Sequence, residues 1–470
     1  VVKNVLLHIK KGMRVHFIGI GGYGMSALAK ILLEKDLSVT GSDLAENAFV
    51  RKLRAGGAEI QIGHDANYVR GADTVVYSTA CAPDHVEIVA AREAGIPVFH
   101  RADLLALLLN EGKGVAIAGA HGKTTTSSMT AVVMERCGLQ PTYVIGGEVV
   151  NFGNNAQAGA SEWVVAEADE SDRSFLKYNP YIAVVTNIEA DHLENYDGDF
   201  KVLLASYEQF LTQIKPGGAA IVCLDDPYLR MQHKKLQAQS DVQVITYALN
   251  DEDADYRAID IVEGDRHLTF TVVHQGHKLG NVEMFVPGKH NVANGLAAMI
   301  TALHAGATFP AITAALREFR GAKRRFQVIG EPNGVLVVDD YAHHPTEIIA
   351  TLQAARATGR RVWAIFQPQR YTRTYFLFDE FSKAFAQADH VIICDIYSPA
   401  GEQPIEGVTA ASLVAAIHKN SHAGARHIAT KEEALDYLQT QVEPGDLVIT
   451  MGAGDIWRLA EQLHIALETH

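Results

Sequence analysis

Short apolar runs ending in Gly, Ser, Thr or Asp alternate with helical stretches along nearly the whole of this sequence, and no other feature restricts the fold as much. Such alternation specifies an α/β protein with largely parallel sheets. A doubly wound sheet of that kind presents its ligand groups at the carboxyl ends of its strands. At roughly 150 residues per domain, 470 residues make about three domains. Their expected extents are 1–111, 112–320 and 321–470.

In the first, Val15 to Ile18 reads as a strand, a glycine loop follows, and Ser26 to Lys35 reads as a helix. Leu37 to Thr40, running out at Ser42 and Asp43, and Thr74 to Tyr77, ending at Ser78, are further strands. A Glu111-Gly112-Lys113-Gly114 break opens the second. There Val115 to Ala118 is a strand leading into AGAHGKTTT (118–126) and a helix, and Trp163 to Ala166 and Ile182 to Val185 are buried strands with polar ends. HLTFTVV (267–273) and NVEMFV (281–286) partly alternate, as antiparallel strands with one wet face do, and predict a small added sheet. A helix starts near Asn291. The third domain has strands at Val335 to Val338, Val362 to Phe366, Val391 to Cys394 and Leu447 to Thr450. Its loops of chemical interest are DDYAHHP (339–345), QPQRYTRT (367–374) and MGAGD (451–455).

Lys plus Arg number 41 against 55 Asp plus Glu, a net charge of −14. That balance gives no overall attraction to nucleic acid or to an anionic membrane, so phosphate binding has to come from local loops and helix ends. The run LLALLL (104–109) is too short to cross a bilayer, and the uncharged stretch 291–316 is interrupted by Asn, His, Gly and Pro310. The opening VVKNVLLHIKKG has no long apolar core followed by a small-residue cleavage site; the expected location is the cytoplasm. Cys81, Cys137, Cys223 and Cys394 have no metal or redox spacing and read as idle thiols in a reducing compartment.

Gly19-x-Gly21-x-x-Gly24, within GIGGYGMS (19–26), follows a strand and opens a helix, the context of a dinucleotide-type turn. Glycines let backbone approach a pyrophosphate, and the helix start supplies N–H groups. Asp43, nineteen residues past Gly24, is placed to bind ribose hydroxyls. AGAHGKTTT is the more specific signal. Lys123 suits β- and γ-phosphates, Thr124 suits Mg²⁺, and Gly122 permits close backbone approach. It is not a strict Walker loop, because Ile117 stands where the first glycine belongs; the loop is Gly119-x-x-Gly122-Lys123-Thr124. Two acidic strand ends, with Glu167, Asp169 and Glu170 and with Glu189, Asp191 and His192, suit a metal–nucleotide site. Asn291 and Asn294 share one face of a helix start, and Arg324-Arg325 lie at the second boundary. Arg370 and Arg373, three apart after a strand, suit an anionic substrate.

Taken in order, GIGGYGMS, AHGKTTT, AEADESD, TNIEADH, GKHNVANGLAA, the RRF of AKRRFQ, VDDYAHHPTEI and FQPQRYTRT closely resemble the Mur ligases of peptidoglycan synthesis, across essentially the whole chain. The resemblance implies an N-terminal Rossmann-like domain for a UDP-linked substrate and a central P-loop-type ATPase domain with a small added antiparallel sheet. It implies a C-terminal Rossmann-like domain that closes on ATP and binds the amino acid. It further implies ATP and Mg²⁺, with two ions, as cofactors, UDP-N-acetylmuramate and L-alanine as substrates, and a monomer or homodimer with no nucleic-acid or membrane partner. By position, Lys123 resembles the ATP lysine, with Gly119, Gly122, Thr124 and Thr125 around the phosphates. Thr124, Glu170 and His192 resemble the metal residues, and Asn291 and Asn294 the adenine-side asparagines. Arg325 and Asp340 resemble ATP contacts from the third domain. Tyr341, His343, Arg370 and Arg373 fall where the family holds the muramate carboxylate and the incoming alanine. Gly19, Gly21, Gly22 and Gly24, with Ser42, Asp43 and Ser78, would hold the UDP moiety. The sequence departs from the family at Ala120 (usually Thr), Ala342 (usually Gly) and Gln369 (usually His). Ala342 bears on the turn, since glycine alone takes positive φ freely.

A carboxylate is a poor electrophile and an ammonium no nucleophile. Phosphorylating the acid creates a leaving group, and the amine then attacks through a tetrahedral intermediate. Bringing a carboxylate to a triphosphate costs about 4 kcal/mol for one like-charge pair at 4 Å and an effective dielectric of ~20. That cost explains the concentration of cationic groups. The residues come from two domains, so closure is expected to complete the site and exclude water. His343 is the expected base for the amine, with Asp340 and bulk water as rivals. Three other functions fit parts of the pattern. A muropeptide ligase adding a preformed peptide differs only in its amine substrate. A dehydrogenase would use GxGxxG and Asp43 but leaves the lysine loop unexplained. A non-catalytic nucleotide-binding protein would not release phosphate when an amino acid is added.

Overall fold

The computed structural model describes residues 10–239, 242–264, 266–398 and 402–469. Most of the opening stretch discussed above as a non-signal sequence lies outside them. Strands β1 (Arg14–Ile18), β2 (Ser38–Asp43), β3 (Glu59–Ile62), β4 (Thr74–Tyr77) and β5 (Val98–His100) form a sheet in the order β3-β2-β1-β4-β5. Each pairs in parallel with its neighbours. Helices α1 (Tyr23–Glu34), α2 (Ala48–Ala55), α3 (Val86–Glu93) and α4 (Arg101–Glu111) make the connections. The strand order reverses between β1 and β4, the switch point at which such sheets bind ligands, and the glycine loop follows β1 there. The first helix starts at Tyr23, a turn earlier than the apolar pattern suggests, with Gly22 as N-cap.

Helix α4 runs to Glu111 and a strand opens at Lys113, so the expected four-residue break is Gly112 alone. The central strands are β6 (Lys113–Ala118), β7 (Thr142–Val149), β8 (Asn154–Gln157), β9 (Trp163–Glu167), β10 (Ile182–Val185), β11 (Ala219–Cys223) and β12 (Gln243–Ala248), in the order β12-β11-β10-β6-β9-β7-β8. All pairs are parallel except β7–β8. The four residues of β10 are fully buried, as a strand covered on both faces requires. Helix α5 (Lys123–Arg136) is buried on every side from Thr126 to Met134. Its hydroxyls therefore turn back onto the helix: Ser128 Oγ donates to Thr124 O (2.6 Å) and Thr130 Oγ1 to Thr126 O (2.8 Å). Helices α6 (Phe200–Thr212) and α7 (Pro227–Gln239) follow.

Strands β13 (Tyr256–Gly264), β14 (His267–His274) and β15 (His277–Met284) are the expected small addition, and they continue the central sheet beyond β12. Tyr256 and Arg257 pair in parallel with Tyr247 and Ala248, so β13 extends the edge of the central sheet. The last strand lies four residues before NVEMFV begins, because Gln275 (φ 48°) and Gly276 (φ 81°) make a tight turn that sets the register. Helices α8 (His290–His304) and α9 (Phe309–Glu318) come next.

The third sheet contains β16 (Gln327–Gly330), β17 (Leu336–Asp340), β18 (Arg361–Phe366), β19 (His390–Ile393), β20 (Arg426–His427) and β21 (Asp446–Met451), in the order β16-β17-β21-β18-β19-β20. Only β16 is antiparallel. Alternate residues feed two cores. Leu336, Val338 and Phe366 lie in one with Ile348 and Leu352 of α10 (Pro345–Ala357). Val337, Trp363 and Val448 lie in the other with Leu459 and Leu463 of α15 (Trp457–Glu468). Helices α11 (Tyr371–Phe376), α12 (Phe378–Lys383), α13 (Ala410–Asn420) and α14 (Lys431–Gln441) complete the connections.

By compactness the chain forms two bodies. One comprises residues 1–257, 274–277 and 294–315; the other comprises 258–273, 278–293 and 316–470. No helix among the described residues is long and apolar enough to cross a membrane. All four cysteines are free.

Candidate active site

In the first body the carboxyl end of β6 delivers the lysine loop. Gly119 (φ 138°) has no room for a side chain, since a Cβ there would lie 2.0 Å from Thr186 Oγ1. Strand β10 holds the loop from beside it. Thr186 Oγ1 and Asn187 Nδ2 donate to His121 O (2.6 and 3.0 Å), and His121 N donates to Asn187 Oδ1 (2.8 Å). Gly122 (φ 85°) caps α5 and brings Lys123 and Thr124 to the helix N-terminus, where unpaired N–H groups favour an anion. Thr125 is half-buried on the same turn.

Lys123 Nζ donates to Glu170 Oε1 (2.7 Å) and to Gly119 O (2.6 Å). Burial lowers the ammonium pKa, but Glu170 beside it more than reverses that, so the group sits above its ordinary range. Burial raises the Glu170 carboxyl against the pull of Lys123. The second oxygen, Glu170 Oε2, is buried with no hydrogen-bond partner. An orphaned carboxylate oxygen next to the lysine loop fits a hard divalent cation. The loop bearing His192 is tied to the Glu170 strand end: the Tyr196 hydroxyl donates to Glu170 O, and Asn195 Nδ2 donates to Ser171 O (2.7 Å). His192 itself (φ 54°) lies 3.4 Å from Asp191 Oδ2.

Three residues here were not singled out by sequence: Ser127, His121 and Arg101. Thr124 Oγ1 and Ser127 Oγ both donate to Glu167 (3.2 Å each), so the first acid of WVVAEADESD braces the threonine. His121 Nε2 lies 3.2 Å from Glu189 Oε2. Arg101, the first residue of α4, lies 3.9 Å from Asp169 Oδ2 and against Gly24 of the glycine loop. The hydroxyl-to-acid spacing is visible in sequence only after the strand order is known, and Arg101 carries no local signal.

Asn291 and Asn294 lie three apart at the start of α8, as expected, and bond to different groups. Asn291 Nδ2 donates to Pro287 O (2.6 Å) at the start of α8. Asn294 Oδ1 accepts from Thr126 Oγ1 (3.1 Å) and fills the space beside Gly122.

At the first sheet, Gly19 and Ile20 donate to Ser42 O (2.8 and 3.0 Å). Asp43 Oδ2 accepts from Gly21 N (2.8 Å) and Oδ1 from Ala45 N (3.2 Å), so its carboxylate also shapes the glycine loop. Gly21 has no space for a Cβ beside Asn47 and Asp43. Ser78 is half-buried at the end of β4.

The second body carries the other group. Both oxygens of Asp340, at the end of β17, accept backbone N–H bonds, from Phe326 and Ala342 (2.7 Å each). Burial pushes this carboxyl up to about 6 against the attraction of Arg325. Arg324 and Arg325 both lie over the Tyr341 ring, 4.9 and 5.2 Å from its centroid. Arg324 also binds Asp339 Oδ2 (3.0 Å) and Gly452 O (2.6 Å), which fastens MGAGD to the end of β17. His343 Nδ1 donates to Tyr341 O (3.0 Å) with Glu347 Oε2 3.2 Å away, leaving Nε2 as the acceptor. Burial brings the imidazole down to about 4, so it is neutral at pH 7. Arg373 Nη1 donates to Gln369 Oε1 (3.0 Å), which ties the Gln369 departure to the arginine pair. Arg370 (φ 69°) is exposed, and no partner of its guanidinium is found among the described residues. Ala342 lies outside the positive-φ residues, so its turn has no need of glycine.

Residues 14–113, 117–302 and 324–454 match, respectively, the Mur ligase family catalytic domain, the Mur ligase middle domain and the Mur ligase glutamate ligase domain. The chain belongs to the Mur ligase family, and is a ligase. It is 48% identical to the UDP-N-acetylmuramate–L-alanine ligase of Symbiobacterium thermophilum, covering 98% of this chain and 95% of that one. It is 50% identical to the protein of the same name from Pelotomaculum thermopropionicum, covering 96% and 97%. Among solved structures it resembles the UDP-N-acetylmuramate–alanine ligase of Thermotoga maritima (TM-score 0.79, 27% identity, 97% and 99% covered). It also resembles a murein peptide ligase of Psychrobacter arcticus (TM-score 0.71, 26% identity, 98% and 99% covered).

Proposed function

We propose that this chain joins L-alanine to the carboxylate of UDP-N-acetylmuramate, converting ATP to ADP and phosphate, in the cytoplasmic synthesis of peptidoglycan precursors. The observation that carries this reading is near-half identity, over almost the full length, to proteins named for that reaction. The Lys123–Glu170 pair at the lysine loop supports it.

We assign residues 1–111 to the UDP-linked substrate, 112–320 to ATP, and 321–470 to the amino acid and further ATP contacts. Gly19, Gly21, Gly22 and Gly24 approach the diphosphate, with Ser42 and Asp43 holding the loop in shape. Gly119, Gly122, Lys123, Thr124 and Thr125 take the ATP phosphates, and Asn294 and Asn291 serve the nucleoside side. Thr124, Glu170 and His192 hold Mg²⁺. The ion, when bound, neutralises charge on the transferring phosphoryl group. Lys123 stabilises the same charge from the helix end. Arg325 and Asp340 contact ATP. Arg370 and Arg373, with Tyr341, hold the substrate carboxylates. His343 Nε2 accepts a proton from the amine as it attacks the acyl phosphate; the resulting tetrahedral intermediate collapses to the amide and phosphate.

The test is phosphate release with ATP, Mg²⁺ and UDP-N-acetylmuramate, with and without L-alanine, and with a preformed peptide in its place. Release that depends on both UDP-N-acetylmuramate and free L-alanine is expected. Dependence on the peptide alone would replace this reading with a muropeptide ligase, and no amine-dependent release would end it.

A further inference from the structure

The first sheet carries a second group of converging side chains for which the ligase reading has no task. Glu87, in the first turn of α3, is completely buried. Its Oε2 accepts from His16 Nε2 (2.7 Å) and Ser42 Oγ (2.9 Å), and its Oε1 lies 2.8 Å from His64 Nδ1. His85 caps the same helix, and its ring stands edge-on to that of His64 with centroids 4.4 Å apart. One ligating atom each from His64, His85 and Glu87 lies within 4.8 Å of the other two. No lysine or arginine pairs with Glu87 among the described residues.

The donor set is two imidazoles and one carboxylate, the set that open zinc sites use. Imidazole nitrogens favour zinc-like ions over Mg²⁺. A tetrahedral ion with bonds of about 2.0–2.1 Å sets its donors about 3.3–3.4 Å apart; His64 Nδ1 and Glu87 Oε1 stand 2.8 Å apart, and the three ligating atoms lie within 4.8 Å of one another. His64 and His85 are both partly exposed, on the loop after β3 and the turn before α3. Glu87 is already oriented from behind: His16 holds its far oxygen, and His16 Nδ1 meets Thr40 Oγ1 at 2.9 Å. Such outer hydrogen bonds fix the direction of a metal-binding carboxylate.

We propose that His64, His85 and Glu87 form a site for one zinc-class divalent ion in the N-terminal domain. It is separate from the Mg²⁺ residues of the lysine loop. Ser42 links it to the glycine loop, because the residue whose hydroxyl bonds Glu87 also accepts Gly19 and Ile20 N–H on its carbonyl.

The test uses the full chain, freed of metal with a chelator and titrated with Co²⁺ as a coloured probe and with Zn²⁺ by calorimetry, in excess Mg²⁺. His85→Asn keeps a side-chain acceptor at the helix cap; His64→Gln is the second variant. The wild type should bind one ion more tightly than either variant by at least tenfold, with the intense visible absorption of tetrahedral Co²⁺. His16→Gln should lose about 10–100-fold in affinity through the outer bond alone. Zn²⁺ should raise the melting temperature of the wild type and of neither ligand variant, each compared with its own metal-free form. Equal stoichiometry and spectra in wild type and variants would mean that surface histidines alone bind the ion, and would overturn the proposal. So would displacement of the ion by Mg²⁺, or no binding by the wild type.

Discussion

Replacing Lys123 by alanine separates what the lysine does for the fold from what it does for the reaction. Lys123 Nζ and Glu170 Oε1 stand 2.7 Å apart with side chains 18% and 5% exposed. At an effective dielectric of ~20 their attraction is about 6 kcal/mol, part of which offsets desolvation. Removing one member of such a pair costs about 3–5 kcal/mol, because a buried charge is left alone. In Lys123→Ala the Glu170 carboxylate would lose the one ion-pair partner it has among the described residues, while its Oε2 already lacks a hydrogen-bond partner. Urea unfolding should therefore show the central domain weakened by about that amount. Adding Glu170→Gln removes the stranded charge and should return most of the stability. Activity should behave differently. Loss of one positioned cation at a transferring phosphoryl group costs at least about 10²–10³ in kcat, and the double variant should stay as inactive as Lys123→Ala. The assay is alanine-dependent phosphate release beside urea unfolding of the wild type, both single variants and the double variant. Near-wild-type turnover in Lys123→Ala, or recovered turnover in the double variant, would refute the ATP-site assignment. Unchanged stability in Lys123→Ala would refute the electrostatic account of the pair.

Gly119→Ala should disable the enzyme, since its Cβ would sit 2.0 Å from Thr186 Oγ1, whereas Gly19→Ala, with open space at φ 71°, should cost only about 1 kcal/mol in unfolding measurements. Similar losses for the two would refute the steric reading. Arg370→Ala should leave stability within about 0.5 kcal/mol yet cut alanine-dependent turnover at least tenfold, because the exposed guanidinium has no hydrogen-bond or ion-pair partner among the described residues; an active variant would remove it from the substrate group. His343 is held neutral by burial, at about 4, below its unfolded value near 6.5. Its contribution to stability is full above pH 6.5 and is lost as pH falls through about 4, at up to about 1.4 kcal/mol per pH unit. Asp340, pushed up to about 6, acts in the opposite sense and loses its contribution as pH rises through 6. The urea midpoint of His343→Asn should thus fall less than that of the wild type between pH 7 and 4.5, and parallel falls would contradict the burial argument. The same variant should impair amide formation more than acyl-phosphate formation, read by trapping the acyl phosphate with hydroxylamine.

Much of this protein is written locally. Strand-length apolar runs such as Ile182–Val185 and Thr74–Tyr77 are specified within themselves, because buried parallel strands need continuous branched side chains. The lysine loop is equally local: Gly119, Gly122, Lys123 and Thr124 lie within six residues, and the strand before and helix after them fix where they point. The ordered run of motifs from GIGGYGMS to FQPQRYTRT carried the family resemblance for the same reason, since each motif is a short strand-end loop.

Partnership across the sheets is another matter. That Glu170 rather than Asp169 or Glu167 meets Lys123, that Glu167 braces Thr124, that Asp43 bonds the glycine loop, and that Asn294 meets Thr126 all depend on which elements lie side by side and in what register. These contacts join residues 22 to 168 positions apart, and a shift of one residue along a strand sends a side chain to the opposite face. The chain's own order of residues therefore determined the elements, the loops and the chemical types available. Only the folded sheets decided which carboxylate is paired, which is left with a bare oxygen, and which arginine remains free, because those depend on distance through space and on burial, neither of which a linear pattern contains.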